Sequence, residues 1–394
     1  MTTKNNIPVG YKDSAVGIIP QEWEVKTFQE CFHISAGRDL QKEWYSEKRT
    51  LQYQYPIFSN SLENRGLYGY TSNPRHKAGS ITITGRGMLG VAEYRDVDFD
   101  AIVRLLVLYP KKEIAGQVVT EYINYRKPFY FESTGVPQLT APQISNIPIP
   151  VPPMGEQRKI AEILGVWDEA IEKQSRLIEK LELRKRALMQ RLLTGRTRLP
   201  GFIDDVQYKK LKPFIVEKSE RNTNQTYTNV LSVTNNRGFI NQAEQFDREV
   251  ASDNTANYKL VHRGQFAYNP SRVNVGSLDL LQTYDLGILS PMYIVFETRP
   301  TMDPKFLYYQ LKSGWFVGHI PMYVQGSVRD SLSFDGLENM KFWIPSLTEQ
   351  KAIAEVLTTA DNEISTQRKK LDALRLQKRG LMQQLLTGKT RVKI

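Results

Sequence analysis

The chain has 394 residues, of which 40% are apolar and 10% aromatic, and its formal net charge at pH 7 is +11. This length is sufficient for two or three hydrophobic cores. The basic balance favours an anionic partner, and nucleic acid is preferred to a membrane because the sequence contains no run of about 18 apolar residues.

The first segment, residues 1 to 150, is predicted to be a globular domain rich in short strands. Its opening at 10–25 is turn-rich and then strand-like, with Trp23 as an anchor in the domain core. Apolar and β-branched runs between turn residues predict strands at 53–58, 80–84, 90–94 and 102–109. A helix is predicted at 117–125.

Residues 151 to 198 form the first of two helical repeats. Pro152 precedes the helix, and Gly195 is placed to end it in the left-handed conformation. Inward positions alternate at spacings of four and three, which is a heptad seam. The seam begins with Ile160, Leu164, Trp167, Ile171, Gln174, Ile178 and Leu181 and continues through Lys185, Leu188 and Leu192. Such a helix is roughly 55 to 60 Å long at about 1.5 Å per residue, and it cannot bury its seam against itself.

The second globular segment, residues 199 to 343, repeats the plan of the first with little sequence identity. Strands are predicted at 230–233, 264–268 and 286–296, and a helix at 304–311. Leu332 occupies the position that matches Leu139 in the first segment. We interpret this as a duplication after which the globular parts diverged.

Residues 344 to 394 form the second helical repeat, in ungapped register with the first. Glu349 matches Glu156 and Gly388 matches Gly195. Ser346 with Glu349 predicts a capping box at the start of the helix. The matching seam includes Ile353, Leu357, Ile364, Gln367, Leu371 and Leu374. The segment between the repeats allows the chain to turn back, so we expect the two helices to pack as an antiparallel coiled coil.

Gln174 and Gln367 lie near the middle of their seams. They could meet face to face and set the register of the helices, or each could simply tolerate the edge of its seam. The predicted fold class is α+β, with two mixed α/β globular domains, two long helices as an antiparallel coiled coil, and a pseudo-two-fold arrangement.

Several residue patterns resemble catalytic motifs but lack their context. Gly85, Gly87 and Gly90 match a dinucleotide fingerprint, yet the residues that follow read as strand or turn where that fingerprint requires a helix. The T-G-K-T run at Thr387 lacks the first glycine of a P-loop. The histidines are scattered, and the single cysteine, Cys31, excludes intrachain disulfides and disfavours a thiolate zinc site. The sequence therefore predicts a protein without catalytic activity, with no metal site and no cofactor bound by the chain itself.

Polar loop residues in both segments are candidates for contact with DNA. Arg can bind guanine and Asn can bind adenine with two hydrogen bonds each, while Lys and Ser reach phosphates. The alternative is that these loops are merely solvated. The preferred residues are Ser59, Asn60, Arg75, His76, Lys77, Arg86, Asn235, Arg237, Asn269, Arg272, Asn274 and Arg329. The wider set adds Arg65, Tyr68, Tyr70, Asn73, Asn236, Ser271, Gln325 and Ser327.

The sequence resembles the specificity subunits of type I restriction-modification systems. The resemblance rests on the opening G-Y-K-D-S-A-V-G-I-I-P-Q-E-W and on two repeats that begin P-x-x-x-E-Q-x-x-I-A-E-x-L and end L-L-T-G. It covers the whole chain, since two target recognition domains alternating with two helical regions are the plan of that family.

The resemblance implies that each globular segment reads one half of a split sequence in double-stranded DNA. It also implies that the helices set the spacing and dock two methyltransferase subunits. S-adenosylmethionine, ATP and Mg are then expected on the methyltransferase and restriction or translocase subunits. No membrane partner is expected, and the expected location is the cytoplasm because the N-terminus lacks an apolar signal core.

Two other functions are consistent with parts of the sequence. One is a coiled-coil scaffold whose globular segments bind protein, which would show little DNA affinity and no steep salt dependence. The other is a nuclease or methyltransferase acting alone, which would need a cofactor or metal pocket that the sequence does not reveal.

Overall fold

The computed structural model describes residues 7–129, 137–203, 205, 207–242, 254–324 and 331–394. The chain divides into two compact units. Unit 1 contains Met1–Ser175 and Lys369–Ile394, and unit 2 contains Arg176–Arg368. Each unit therefore combines one globular segment with parts of both helical repeats.

The globular part of unit 1 consists of short strands and three short helices among the described residues. The helices are α1 (Phe28–Cys31), α2 (Gly116–Arg126) and α3 (Ala141–Ser145). The strands are β1 (Tyr11–Lys12), β2 (Ile19–Pro20), β3 (Glu24–Thr27), β4 (Phe32–Ala36), β5 (Tyr45–Ser46), β6 (Tyr55–Phe58), β7 (Leu67–Thr71), β8 (Ser80–Ile83), β9 (Ala92–Arg95), β10 (Asp100–Ala101), β11 (Leu106–Pro110) and β12 (Pro148–Val151).

Two sheets organise unit 1. One has the order β4–β11–β8–β9 with antiparallel neighbours, and the other has the order β10–β6–β7–β5. The main core lies between the first sheet and the helices and contains Trp23, as predicted from the sequence. A smaller core around Phe58, Phe99 and Val107 lies on the other side of β11. The central strand β11 is therefore covered on both faces.

The predicted strand at 102–109 is shorter in the structure, where β11 begins at Leu106. Val103 and Arg104 have φ angles of 54° and 59°, which lie in the left-handed region. A strand needs negative φ, and a β-branched residue at positive φ is a genuine outlier. The residues ahead of β11 form a strained turn instead of a strand.

The long helix α4 spans Met154–Leu192. Unit 2 then contains β13 (Tyr208–Lys210), β14 (Ile215–Lys218), β15 (Leu231–Thr234), β16 (Gly238–Asn241), β17 (Lys259–His262), β18 (Phe266–Tyr268), β19 (Leu278–Leu280), β20 (Leu286–Leu289), β21 (Ile294–Thr298), α5 (Pro304–Leu311), α6 (Gly314–His319), α7 (Phe334–Asn339) and β22 (Lys341–Trp343). The second long helix, α8, spans Leu347–Leu385.

Unit 2 repeats features of unit 1 with different strand lengths. Its largest sheet among the described residues has the order β14–β21–β18–β19, and the helix predicted at 304–311 is α5. The run predicted as one strand at 286–296 is two strands, β20 and β21. A Ser290-Pro291 step separates them, and proline cannot donate the ladder hydrogen bond that a continuous strand requires.

A two-stranded ribbon leads into each long helix. In unit 1, β12 pairs antiparallel with β3, and α4 follows β12. In unit 2, β22 pairs antiparallel with β13, and α8 follows β22. The prolines after these strands stop the ladder and allow the helix to begin, which agrees with the boundary predicted from Pro152; Pro345 takes the same place in the second repeat.

The two helices run antiparallel within each unit. In unit 2, Glu182 of α4 pairs with Arg368 of α8, and Lys185 pairs with Asp361. In unit 1, Asp168 pairs with Lys378. The partner number falls as the α4 number rises within unit 2, which is the antiparallel direction expected because the segment between the repeats lets the chain turn back.

Candidate nucleic-acid interface

The glycine-rich run of the first segment lies in the loop between β8 and β9, and a strand follows it rather than a helix. Asn60 holds this loop. Its Oδ1 accepts hydrogen bonds from the backbone N of Gly85 at 2.7 Å and of Arg86 at 3.3 Å, and its Nδ2 donates to the Val103 carbonyl at 2.6 Å. Because both ends of its amide are used inside the domain, Asn60 positions the loop that carries Arg86.

Two exposed guanidinium groups emerge from these packed loops. Arg86 is exposed, and within the described part of the chain its side chain has no hydrogen bond or ion pair. Arg104 is exposed as well and reaches Gln138 Oε1 at 3.4 Å. A Cβ at Gly85 would lie 2.9 Å from the Arg104 carbonyl oxygen, so glycine at this position allows the two loops to pack closely. Arg104 was not predicted as a candidate for contact with DNA because it lies in a run predicted to be a strand.

Two other predicted DNA-contacting residues of unit 1, Arg75 and His76, bond other side chains of the domain. Arg75 donates to both carboxylate oxygens of Asp100, at 2.7 and 2.8 Å. His76 is 8% exposed, stacks on Phe99 with ring centroids 5.2 Å apart, and hydrogen-bonds Tyr109 through Nδ1. Burial lowers the pKa of His76. In the structure Arg75 and His76 thus contact residues at and beside β10, and their contact with DNA stays a prediction.

Lys77 differs from its two neighbours because it remains at the surface. Its Nζ lies 2.8 Å from Asp98 Oδ2, while its side chain is 80% exposed. Exposed ion pairs of this kind stabilise a protein very little, so the Lys77 ammonium can exchange Asp98 for a phosphate at little cost. Ser59, by contrast, is half-buried and bonds the Gly66 carbonyl through its backbone N at 2.8 Å.

In unit 2, a cleft of about 820 Å³, open to solvent, brings together two predicted residues from separate loops. Asn235 lies in the turn between β15 and β16, and Arg272 lies in the loop between β18 and β19. Gly276 allows the loops to meet, since a Cβ there would lie 3.1 Å from the Cβ of Asn235. Ser232 and Tyr293 contribute hydroxyl groups to the same cleft.

The remaining predicted residues of unit 2 differ in exposure. Arg237 and Asn274 are exposed beside this cleft's loops. Asn269 is 9% exposed, and its Oδ1 accepts a hydrogen bond from the backbone N of Ser271 at 3.1 Å, so it organises the loop. Arg329 lies outside the described residues.

An ion pair between a buried glutamate and an arginine joins the start of each long helix to the segment beyond the end of the other. In unit 1, Arg391 Nε donates to Glu156 Oε1 at 2.7 Å, and Trp23 Nε1 donates to Glu156 Oε2 at 2.9 Å. In unit 2, Arg198 donates to the two Glu349 oxygens at 2.7 and 2.6 Å. These two arrangements use matching positions of the helical repeats.

The predicted capping box at the start of α8 is only half formed. Ser346 Oγ accepts a weak hydrogen bond from the backbone N of Glu349 at 3.4 Å. The Glu349 carboxylate does not return to the cap, because it is fully buried against Arg198. The glutamine that follows each glutamate bonds the globular part of its unit. Gln157 Oε1 accepts a hydrogen bond from the backbone N of Ala115 at 2.7 Å, and Gln350 Oε1 accepts one from the backbone N of Asp303 at 2.8 Å. The consecutive Glu and Gln of each repeat thus hold the start of its helix against the globular part.

The seam residues of the two helices are buried or half-buried. Ile160, Leu164, Gln174, Ile178, Leu181, Ile353, Leu357, Ile364 and Leu371 are buried, and Trp167, Ile171, Gln367 and Leu374 are half-buried. Polar contacts accompany this seam. Lys378 bonds Asp168 at 2.6 Å and Glu121 at 2.8 Å in unit 1, and Lys185 bonds Asp361 at 2.5 Å in unit 2. Face-to-face pairing of Gln174 with Gln367 stays a prediction.

Among the described residues, no group of three or more His, Cys, Asp or Glu side chains is arranged to hold a metal ion. No helix in the described part of the chain is long and apolar enough to cross a membrane.

The chain resembles known proteins in both sequence and structure. The family model described as type I restriction modification DNA specificity domain matches residues 20–183 and 202–375. The type I restriction enzyme MjaVIII specificity subunit of Methanocaldococcus jannaschii is 27% identical over 418 residues, which cover 95% of this chain and 94% of that protein. The putative MjaX specificity subunit of the same organism is 23% identical, with 97% of each chain covered. The crystal structure of the type I restriction-modification system S subunit from M. genitalium superposes with a TM-score of 0.60 and 16% identity, covering 100% of this chain and 99% of that one.

Proposed function

Because the chain belongs to the type I restriction-modification DNA specificity family, we propose that it is the non-catalytic subunit that selects the DNA sequence in such a complex. Each globular part reads one half of a bipartite target in double-stranded DNA. The two long helices set the distance between the halves and dock methyltransferase subunits.

The observation that carries this proposal is that each unit has exposed Arg or Asn side chains on loops that are packed or hydrogen-bonded within the domain. In unit 1, Asn60 fixes the loop that presents Arg86. In unit 2, Asn235 and Arg272 meet in one cleft although they come from separate loops. Arg suits guanine and Asn suits adenine in the major groove, and rigid placement is what sequence discrimination requires.

The helices suit a spacing role because they are long and of equal length. α4 and α8 each have 39 residues, which corresponds to about 58 Å at 1.5 Å per residue. A protein with two readers on a rigid support contacts half-sites separated by about one helical turn of DNA, or multiples of it.

The outer faces of the helices support docking of methyltransferase subunits. Val166, Leu177 and Leu183 on α4 and Leu376 on α8 are exposed apolar side chains, from 41% to 69% exposed. Large exposed apolar side chains on otherwise polar helices are candidate contact points for a partner subunit. S-adenosylmethionine, ATP and Mg belong to the methyltransferase and restriction subunits in this proposal, since base methylation needs a flipped adenine in a cofactor-bearing pocket.

Sequencing the methylated bases of a cell that carries this gene with its cognate methyltransferase gene tests the proposal. We expect a split, asymmetric adenine-methylated motif that disappears when this gene is deleted. An unchanged methylation pattern, with both proteins expressed, would contradict it. DNA affinity that shows no steep dependence on salt would instead favour a protein-binding scaffold.

A further inference from the structure

A second cleft in unit 1 lies apart from the Arg86 loop and contains an unusual arginine. It has about 910 Å³ of empty space, including the part open to solvent, and lies where β6, β7 and β9 come together. Its lining includes Arg49, Gln54, Tyr55, Tyr70 and Arg95. Of these five residues, only Tyr70 was predicted from the sequence as a candidate for contact with DNA.

Arg95 is 4% exposed, yet no carboxylate lies within ion-pair distance of it among the described residues. Its Nε donates to Thr82 Oγ1 at 2.9 Å, and its guanidinium carbon lies 3.5 Å from the centroid of the Phe58 ring. Burial lowers the pKa of Arg95 to about 10. Removing a cation from water without pairing it costs several kcal/mol, and an anion bound at Arg95 would offset that cost.

The unpaired terminal nitrogens of Arg95 remain accessible. The described side-chain atoms that are both sealed from solvent and unpaired are Ser35 Oγ and Tyr268 OH. The Arg95 nitrogens are not among them, so they keep contact with solvent through the cavities that this buried residue lines. These donors therefore face a space that a ligand can enter.

The rest of the lining matches a ligand that is both anionic and aromatic. Arg49 is exposed and has no hydrogen bond or ion pair in the described part of the chain. Arg65, also in the lining, is already paired with Glu93 at 2.8 Å, and Asp96 is the acidic residue of the lining. Tyr55 is 37% exposed and Tyr70 is half-exposed, so their rings are available for stacking. Aromatic rings beside arginines are the usual platform for single nucleotides.

We propose that this cleft binds one nucleotide, with its phosphate on Arg95 and Arg49 and its base against Tyr55 and Tyr70. The nucleotide has two possible sources with the same chemistry. It is either a residue of the DNA displaced from the duplex stack, which rests on the proposed function, or a free nucleoside monophosphate.

The test uses the full chain and measures binding by calorimetry and fluorescence anisotropy. The probes are the four deoxynucleoside monophosphates, a duplex carrying the methylated motif, and the same duplex with single mismatches along it. Displacement of a base predicts tighter binding when one position of the duplex is mismatched, because unpairing then costs less. A free ligand predicts saturable binding of a monophosphate without DNA.

The variants are Arg49→Ala, Tyr55→Ala and Arg95→Gln, with Lys48→Ala as the matched control. Lys48 adjoins Arg49 and is exposed, but it is not part of the lining. We expect each cleft variant to weaken monophosphate binding or the mismatch effect about tenfold, and the control to change it less than twofold. Arg49→Ala and Tyr55→Ala change exposed side chains, so the test does not depend on Arg95→Gln folding.

The outcomes separate this inference from the proposed function. Specific binding of the motif that is unaffected by all three variants, with no monophosphate binding, would overturn the nucleotide cleft and leave the specificity role intact. Monophosphate binding that depends on Arg49 in a chain with no specific DNA affinity would support the cleft and contradict the specificity role. An equal loss in Lys48→Ala would also overturn the cleft, since it would show a general charge effect.

Discussion

Arg198, beyond the end of α4, forms a two-bond ion pair with Glu349 in the first turn of α8, at 2.7 and 2.6 Å. Glu349 is fully buried, and the Arg198 guanidinium lies 5.4 Å from the Trp343 ring. The matching pair in unit 1 is Arg391 with Glu156, beside Trp23. Residues that are 151 and 235 positions apart in sequence are thus joined at equivalent places.

Breaking one of these pairs is expected to destabilise the protein strongly. Arg198→Met leaves the buried Glu349 carboxylate without its partner, which costs about 3 to 5 kcal/mol. Denaturant unfolding of the full chain measures the loss. The control is Lys173→Met, which breaks an exposed pair with Glu169 on the same helix and should change the free energy of unfolding far less than Arg198→Met. Equal effects of the two variants would show that burial does not matter at this junction.

Gly388 and Gly380 are expected to respond in opposite directions to the same substitution. Gly388 has a φ of 70°, and a Cβ there would lie 3.3 Å from the Trp23 ring and against Pro20. Gly388→Ala should therefore lower the free energy of unfolding by about 1 to 2 kcal/mol or more. Gly380 lies inside α8 with nothing within 4 Å of its Cβ position, so Gly380→Ala should raise stability by up to about 1 kcal/mol. Thermal unfolding of both variants tests this prediction. An increase in stability from Gly388→Ala would contradict it.

Arg86 and Arg272 are expected to affect different halves of the target. Replacing either by Ala should weaken specific DNA binding by about 1 to 3 kcal/mol and relax the methylated motif in one half only. Neither change should alter thermal stability, because both side chains are exposed. Lys112→Ala removes an exposed charge elsewhere in unit 1 and is the control. Relaxation of both half-sites by a single variant would contradict the assignment of one half to each unit.

The helices are expected to determine the spacer of the target. Inserting one heptad in both α4 and α8 keeps the seam in phase and lengthens each helix by about 10 Å. The methylated motif should then keep its two halves while the gap between them grows by about three base pairs, at about 3.4 Å per base pair. A motif with an unchanged gap, obtained from a folded variant, would rule out this role.

His76 is expected to make stability depend on pH. Its pKa is lowered by burial, so in the range below the usual histidine value the unfolded chain binds a proton that the folded chain does not. The stabilisation is therefore present above about pH 6.5 and is lost as pH falls through the lowered value. His76→Asn should make the free energy of unfolding fall less steeply between about pH 7 and pH 5. A slope identical to that of the unsubstituted protein would exclude His76 as the cause.

From the sequence, the exposure of a candidate loop residue could be predicted only where it has no distant partner in the chain, and contact of these residues with DNA stays a prediction. Arg86, Asn235 and Arg272 were chosen for their chemistry, and all three are exposed. Arg75 was chosen by the same reasoning, but its partner Asp100 lies 25 residues further on. Arg95 was passed over because a strand residue between Tyr94 and Asp96 carries no sign of where its side chain will be buried.

Local sequence patterns were enough to predict the two long helices, their seams, their ends near Gly195 and Gly388, and the alternation of helical and globular segments. These features depend on heptad periodicity, prolines and repeats, which are visible directly in the sequence. Which polar groups are available for binding is instead a property of the folded chain. That depends on partners far apart in the chain, such as Glu156 with Arg391, and on burial of a single guanidinium at Arg95, neither of which leaves a local pattern.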